Sequence, residues 1–401
     1  MAGNHAVSLY SRRSDFFYHE GGSMKSTAIL HLSALAVATL LALPAHAHHG
    51  FGLFQLDKDV EFEGTLTEME LVNPHSYMHF ESVGADGKPL QMSCEMRAAT
   101  LIKRSGWSID MFKPGMHVKV IGHPHRDDPS ACYIESFTLD NSITVERNQQ
   151  FLSTAAPVDT STRAARLDSG EPNISGDWAV EQNVLTIPPG GGHGDMVPRS
   201  LVDEYASGAM TLQQIRGLNP TPRPAYTAKG DADAKAFRMW SVDDNPRLSC
   251  KPTSILYDWT FDWPVNRITQ TTTAEGEKVI DMDYGLYSFS RRIHMDAEHP
   301  ASIEPSFAGH SIGHWEGDML VVDTVGIAEG VLSPPTRNSN RLHVEERYTL
   351  DTTTLALVRN YRAEDPVYLA QPWIGRDTVL LSEVPFEKQV CKEMTPEFQQ
   401  Q

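Results

Sequence analysis

Two groups of residues in this chain carry side chains that could do chemistry. The first is a set of imidazoles: His48, His49, His75, His79, His117, His123 and His125. A mature chain beginning at His48 would have a free α-amino group next to its own imidazole. Amine and imidazole chelate together, and one further imidazole completes a T-shaped nitrogen site of the kind that suits Cu(II). His75, in a loop after Pro74, is the expected third ligand, with His49 beside the terminus. His123 and His125 flank Pro124 and are alternative donors. The competing reading is that these are ordinary surface histidines, since short His-rich tracts also take up metal adventitiously.

The second group lies in the distal half, where strand side chains alternate between two faces. Residues 287–295 put Arg291 on a face with Tyr287, Phe289, Ile293 and Met295. Residues 319–327 put Asp323 with Met319, Val321, Val325 and Ile327, and residues 342–350 put Glu346 with Leu342, Val344, Tyr348 and Leu350. Arg359 shares a face with Leu355, Leu357 and Tyr361. A buried, unpaired charge costs several kcal/mol or more, so these groups must pair or meet a ligand. In the ligand reading, Arg291 and Arg359 face the anionic group of a partly apolar small molecule, with Trp259 and Tyr361 lining its pocket. In the structural reading, two arginines and two carboxylates form an internal ion-pair network. A third reading is catalytic: His310 or His343, paired with Asp323 or Glu346, would suit general acid–base work. No spacing in the sequence selects such a pair.

The elements that must position these residues are mostly strands. Alternating patterns and turns mark strands at residues 60–67, 77–83, 89–96, 116–122 and 132–139, with a helix over 97–105 that stops at Gly106. Five strands with a helix after the third fit a small barrel of the oligonucleotide/oligosaccharide-binding (OB) type over residues 48–147. Residues 148–172, rich in Ser, Thr, Ala and Pro, read as a linker. Residues 173–401 form the second domain. Its opening part is Gly/Pro-rich, with helical stretches at 200–206 and 232–240. Strands follow at 255–263, 267–272, 278–284, 286–295, 311–315, 319–325, 342–350, 355–363 and 378–384. Nine consecutive strands with short turns predict an up-and-down antiparallel, lipocalin-like barrel. Tyr257, Trp259, Phe261 and Trp263 would share one face of its first strand. The fold expectation is therefore mainly β, a small OB-like barrel followed by a larger lipocalin-like one.

Composition narrows the function classes. The chain has 401 residues and a net charge of −18. Such acidity repels phosphate backbones and anionic lipid heads, which excludes nucleic acid as an expected partner. Residues 24–47 read as a secretory signal: Met24 and Lys25, an apolar run over 28–43, then Ala45-His46-Ala47 in the small-x-small form. Residues 1–23 read as an extension upstream of the true start at Met24. No other segment reads as a membrane span, so a periplasmic or secreted location is expected. Cys94, Cys132, Cys250 and Cys391 are then disulfide candidates with three connectivities, of which domain logic favours Cys94–Cys132 and Cys250–Cys391.

Several motifs add a resemblance. His48-His49-Gly50-Phe51, Asn73-Pro74-His75, Arg104-Ser105-Gly106-Trp107 and Lys113-Pro114-Gly115 resemble the secreted bacterial domain of unknown function numbered 6152. The stretches at 291–296, 309–324 and 342–347 resemble a recurring uncharacterised bacterial domain, in which cysteines at the places of Cys250 and Cys391 support their pairing. The resemblance implies secretion and two domains, and no activity. The functional expectation is an exported small-ligand-binding protein with an N-terminal histidine copper site. The alternatives are a periplasmic enzyme acting on a small organic substrate in the distal barrel, and an envelope interaction module with both barrels structurally satisfied.

Overall fold

The structure is a computed structural model that describes residues 53–73, 75–84, 86–140, 144–146, 160, 162–186, 188–190, 195–218, 222–239, 241–261, 264–287 and 289–388. The expected signal segment, His48, His49 and Cys391 lie outside the described residues, as does the first part of the expected linker.

The proximal barrel is built from β1 (Val60–Glu70), β2 (Tyr77–Val83), β3 (Pro89–Glu95), helix α1 (Ala99–Arg104), β4 (His117–Pro124), β5 (Ala131–Leu139) and the short β6 (Thr144–Glu146). Pairing runs β3-β2-β1-β4-β5-β6, and a further parallel β3–β5 contact closes the first five strands. That is the expected OB-like topology, with the helix after the third strand. Alternation fills its interior with Leu66, Met78, Phe80, Met92, Val118, Val120, Ile134 and Phe137. Cys94 and Cys132 stand opposite each other in the closing β3–β5 pair and are disulfide-bonded. Cys250 is also disulfide-bonded.

The distal barrel has nine strands. They are β7 (Gly176–Ala179), then β10 (Asn266–Thr272), β11 (Lys278–Asp283), β12 (Ser290–Met295), β13 (His310–Glu316), β14 (Met319–Val325), β17 (His343–Leu350), β18 (Leu357–Glu364) and β19 (Trp373–Leu381). Two side hairpins pair β8 (Asn183–Thr186) with β9 (Asp195–Pro198), and β15 (Gly330–Ser333) with β16 (Thr336–Asn338). Short helices occupy Val202–Ala206, Leu212–Gly217 and Ala228–Ala236. Among the described residues no helix is long and apolar enough to cross a membrane.

Two expectations are corrected here. Residues 255–261, the described part of the expected strand 255–263, are not a strand: Asp258–Thr260 is a 3-10 turn, and Gly176–Ala179 joins the ring instead, between β10 and β19. Nor is the barrel antiparallel throughout. An odd ring of strands cannot close with every neighbour reversed, and the exception is the parallel β12–β13 pair. Parallel neighbours need a long crossover rather than a hairpin. Residues 296–309 provide it and fold back over the outer face of the sheet. At Gly326 (φ 68°) an added Cβ would sit 2.4 Å from Ile303 of the crossover, and at Gly309 (φ 66°) one would sit 2.7 Å from the Val325 carbonyl. Those two close approaches hold the crossover against β14.

The expected linker is not free along its whole length. Arg166 pairs with Asp318, and Glu171 with Lys278, at 2.7 and 2.8 Å. Residues of α1 also dock on the distal barrel. Arg104, 2% exposed, donates to the Val180 carbonyl at 2.6 Å, and Gln182 donates to the Arg104 carbonyl at 2.5 Å. Ala98 and Leu101 pack with Leu286, Phe261 and Tyr287.

Candidate functional site

The distal sheet carries one charged network on each face. The inner one holds Arg291, Glu346 and Arg359, all fully enclosed, together with Asp377. Arg291 Nη1 donates to Glu346 Oε2 at 2.5 Å, and Arg359 Nη1 donates to Glu346 Oε1 at 3.1 Å. Arg359 Nη2 reaches Asp377 Oδ2 at 2.6 Å and the Leu256 carbonyl at 2.9 Å. Tyr348 donates its hydroxyl proton to Glu346 at 2.7 Å. Burial pushes the Glu346 carboxyl up, but Arg291 and Arg359 outweigh it and hold it below its ordinary range. Asp377 is the opposite case: burial wins over Arg359 and raises it.

The expected ligand residues belong to this network. Trp259 is 1% exposed, and the Arg359 guanidinium lies 5.9 Å from its ring centre and 5.3 Å from that of Tyr361. Tyr361 also covers Gly375, where an added Cβ would sit 2.1 Å from its ring. Arg291, Arg359, Trp259 and Tyr361 are thus packed on one another. The geometry matches the ion-pair alternative drawn from the sequence, with Asp377 in place of Asp323.

Asp323 is on the other face. In β14, Leu320, Val322 and Thr324 are the inward residues, and Val322 stands opposite Glu346 while Asp323 stands opposite Glu345. The expected face is corrected. Both faces of Met-Leu-Val-Val-Asp-Thr-Val are apolar enough to be core, so pairing with β17 decides which one turns in. Glu346 accordingly partners neither His310 nor His343.

What the outer face assembles is a relay. His343 Nε2 lies 2.5 Å from Asp323 Oδ2, and His299 Nε2 lies 2.9 Å from Asp323 Oδ1. The other nitrogen of His299 meets His310 Nδ1 at 2.9 Å. With His299 neutral and donating through Nε2 to the carboxylate, its Nδ1 accepts from His310 Nδ1. His310 is left with Nε2 as a lone-pair nitrogen. Its ring stacks on that of His294 at 5.0 Å, and His294 Nδ1 meets Glu277 at 2.5 Å. At the far end His343 Nδ1 lies 3.7 Å from Glu364, which Arg362 pairs at 2.5 Å.

The two outer histidines are pushed apart in acidity. The hydrogen bond to Asp323, against burial and with the charges of Asp323 and Glu364, raises the pKa of His343. Burial, followed by the nearby His294 and His299, lowers that of His310. Asp323 is itself held low, chiefly by its bond to His343. The sequence reading named His310, Asp323 and His343 and missed His299, because that residue sits in the crossover, outside any periodic pattern. It missed Asp377 because the expected strand began at 378, five residues after its observed start at Trp373. The alternation Trp373, Gly375, Asp377, Val379 was the available signal.

In the proximal barrel, His75 Nδ1 lies 2.6 Å from Glu95 Oε1. Burial lowers its pKa, but the hydrogen bond and charge of Glu95 outweigh this and raise it. In the neutral ring, donation through Nδ1 leaves Nε2 unprotonated. His125 is arranged the other way: its Nδ1 accepts from the backbone of Asp127 and Asp128 at 3.1 and 2.9 Å, so the neutral ring carries its proton on Nε2. That removes His125 as a ready donor to metal. Among the described residues no group of three or more His, Cys, Asp or Glu is placed to hold a metal ion.

No curated protein and no solved structure matches the chain. Residues 36–132, which include four of the five closing strands' worth of the proximal barrel up to the start of β5, match a family model described as a family of unknown function, DUF6152, and it is to that family that this part of the chain is similar.

Proposed function

We propose that this chain is an exported enzyme that performs general acid–base catalysis on the outer face of its distal barrel. The observation that carries the reading is the His310–His299–Asp323–His343 relay, with the acidities of its two outer imidazoles displaced in opposite directions. Titratable groups driven apart by their surroundings divide into a base and an acid. His310, neutral and with Nε2 free, accepts a proton from a substrate hydroxyl or an attacking water. The positive charge it gains is stabilised through His299 by Asp323. His343, which keeps its proton to higher pH, donates to the leaving group. Each positioned proton transfer contributes roughly 10²–10⁴-fold to a rate. Arg292, Arg347 and Arg362 on this face are all ion-paired, so the relay suits a small uncharged polar substrate better than an anion. Export rests on the signal-like segment and is supported by the disulfides.

The test has two parts. Imidazole NMR titration should find His343 titrating above and His310 below the ordinary histidine value, with His343 falling back toward that value in Asp323→Asn while His310 stays low. Turnover of a panel of small esters, lactones and amides should disappear in His310→Gln with the fold intact. Coincident titration of the two rings, or activity retained in His310→Gln, sinks the reading.

One observation favours a second reading for the proximal barrel. A carboxylate behind one nitrogen of an imidazole orients the other for metal, as Glu95 does for His75. A copper site at His75 would draw its other donors from His48 and His49. Periplasmic protein with no stoichiometric copper, or copper binding unchanged in His75→Ala, rules it out.

A further inference from the structure

We infer that the open end of the distal barrel is a binding site for a small amphipathic amine, a site separate from the acid–base relay. A cavity of about 160 Å³ lies there. Ile280, Met295 and Trp315, from β11, β12 and β13, give it an apolar floor, and Leu167 closes it from the side of the former linker. Mouths of β-barrels are frequent ligand sites when an apolar cavity meets a few convergent polar groups.

The polar groups are set by a strap, residues 166–175, laid across the opening. Its turn is held by the Leu167 amide on the Glu171 carbonyl at 3.0 Å and the Gly170 amide on the Leu167 carbonyl at 2.9 Å. Arg166 fixes one side through a bidentate contact with Asp318 at 2.7 and 2.8 Å. On the other side Gln270 Oε1 accepts from the amides of Ile174 and Ser175 at 2.7 and 3.0 Å. Glu171 pairs with Lys278 at 2.8 Å. The strap is therefore held over an apolar cavity largely by polar contacts, several of them exposed, and these open far more readily than a packed core.

Charge selects the occupant. Glu171, Asp296 and Lys278 all line the cavity, two carboxylates to one ammonium. Lys278 is ion-paired with Glu171, and Asp296 acts on it through its charge alone, with no salt bridge of its own among the described residues. The floor takes an apolar body the size of one ring, and the carboxylate left over at the rim takes a cationic head. This reverses the anionic ligand expected from the sequence, because the arginines that would have received it are enclosed in the inner network.

Phenethylamine, 2-phenylethanol and 3-phenylpropionate, closely similar in body and different in head, are titrated calorimetrically into the purified full chain. The amine should bind saturably and about tenfold tighter than the alcohol, with the carboxylate weakest. Asp296→Asn, an exposed change that leaves the barrel core untouched, should remove most of that preference. Ile280→Trp, checked for an unchanged circular dichroism spectrum, should abolish binding of all three. No saturable binding of the amine, a preference for the carboxylate, or an amine preference that survives Asp296→Asn overturns the proposal. His310→Gln should leave amine binding unchanged, so failure here and failure of the relay are read separately.

Discussion

The two faces of β14 and β17 carry polar networks of opposite character. Val322 and Glu346 turn inward, Asp323 and Glu345 outward, so adjacent residues serve different chemistry. Inside, Arg291, Glu346, Arg359 and Asp377 form a network of ion pairs, closed off from solvent except at Asp377, whose side chain is 18% exposed. Arginine does not titrate in any ordinary range, so this network has one working protonation state at its centre. Outside, one carboxylate joins three imidazoles, and the ends of the chain meet solvent. Imidazoles change charge between about pH 5 and 8. What separates structure from chemistry here is therefore whether the partners of the carboxylate can exchange protons, and whether solvent or substrate can reach them.

Breaking the inner network should have the largest effect. Glu346→Gln leaves two buried arginines short of their shared counter-charge and should lower stability by about 3–5 kcal/mol, read by chemical denaturation. A loss below about 1 kcal/mol would mean that the network is not the closed unit described.

A second buried acid sharpens the contrast, because no cation forms a salt bridge with it among the described residues. Asp258 is fully enclosed. Its Oδ2 accepts from the Thr253 amide at 2.7 Å, while Oδ1 has no hydrogen-bond partner. Burial pushes its pKa up to about 7. For a carboxyl raised on folding, the native state holds the proton more tightly. Stability then falls as pH rises from the unfolded value near 4 to about 7, by at most on the order of 4 kcal/mol. Asp258→Asn should flatten that profile and be the more stable form at pH 8. Parallel pH profiles of the two proteins would show that burial does not govern this group.

Breaking the outer relay should cost little stability. Asp323→Asn is expected to change it by about 1 kcal/mol or less, since Asp323 and His343 are more than a third exposed and screened by solvent. The pH signature is small and has two signs. Raised His343 stabilises below the ordinary histidine pKa, and that contribution fades as pH climbs through its folded value. Lowered His310 stabilises above the ordinary value, and that is lost as pH falls through its folded value. A large stability loss in Asp323→Asn with no change in imidazole titration would make the relay a structural clasp.

Much of this protein could be read from residue order. Period-2 alternation and turn residues located both barrels, because a half-buried strand shows its pattern locally. The helix after the third strand and the Cys94–Cys132 pair followed from the same reading. The lone charges on apolar strand faces were legible as well, since burying a charge is costly enough to require a partner.

Tertiary structure decided which partners those are. Strand parity at Asp323 was ambiguous because both faces of β14 are apolar, and only its register against β17 settles it. The ninth strand came from residues 176–179, far from its neighbours along the chain, and the odd ring then required one parallel pair and a crossover. It is that crossover that lays His299 between Asp323 and His310. The order of residues determined which elements form and which charges need company, because those depend on short-range pattern and solvation. The company itself depends on how the sheet closes, and closure is a property of all nine strands together.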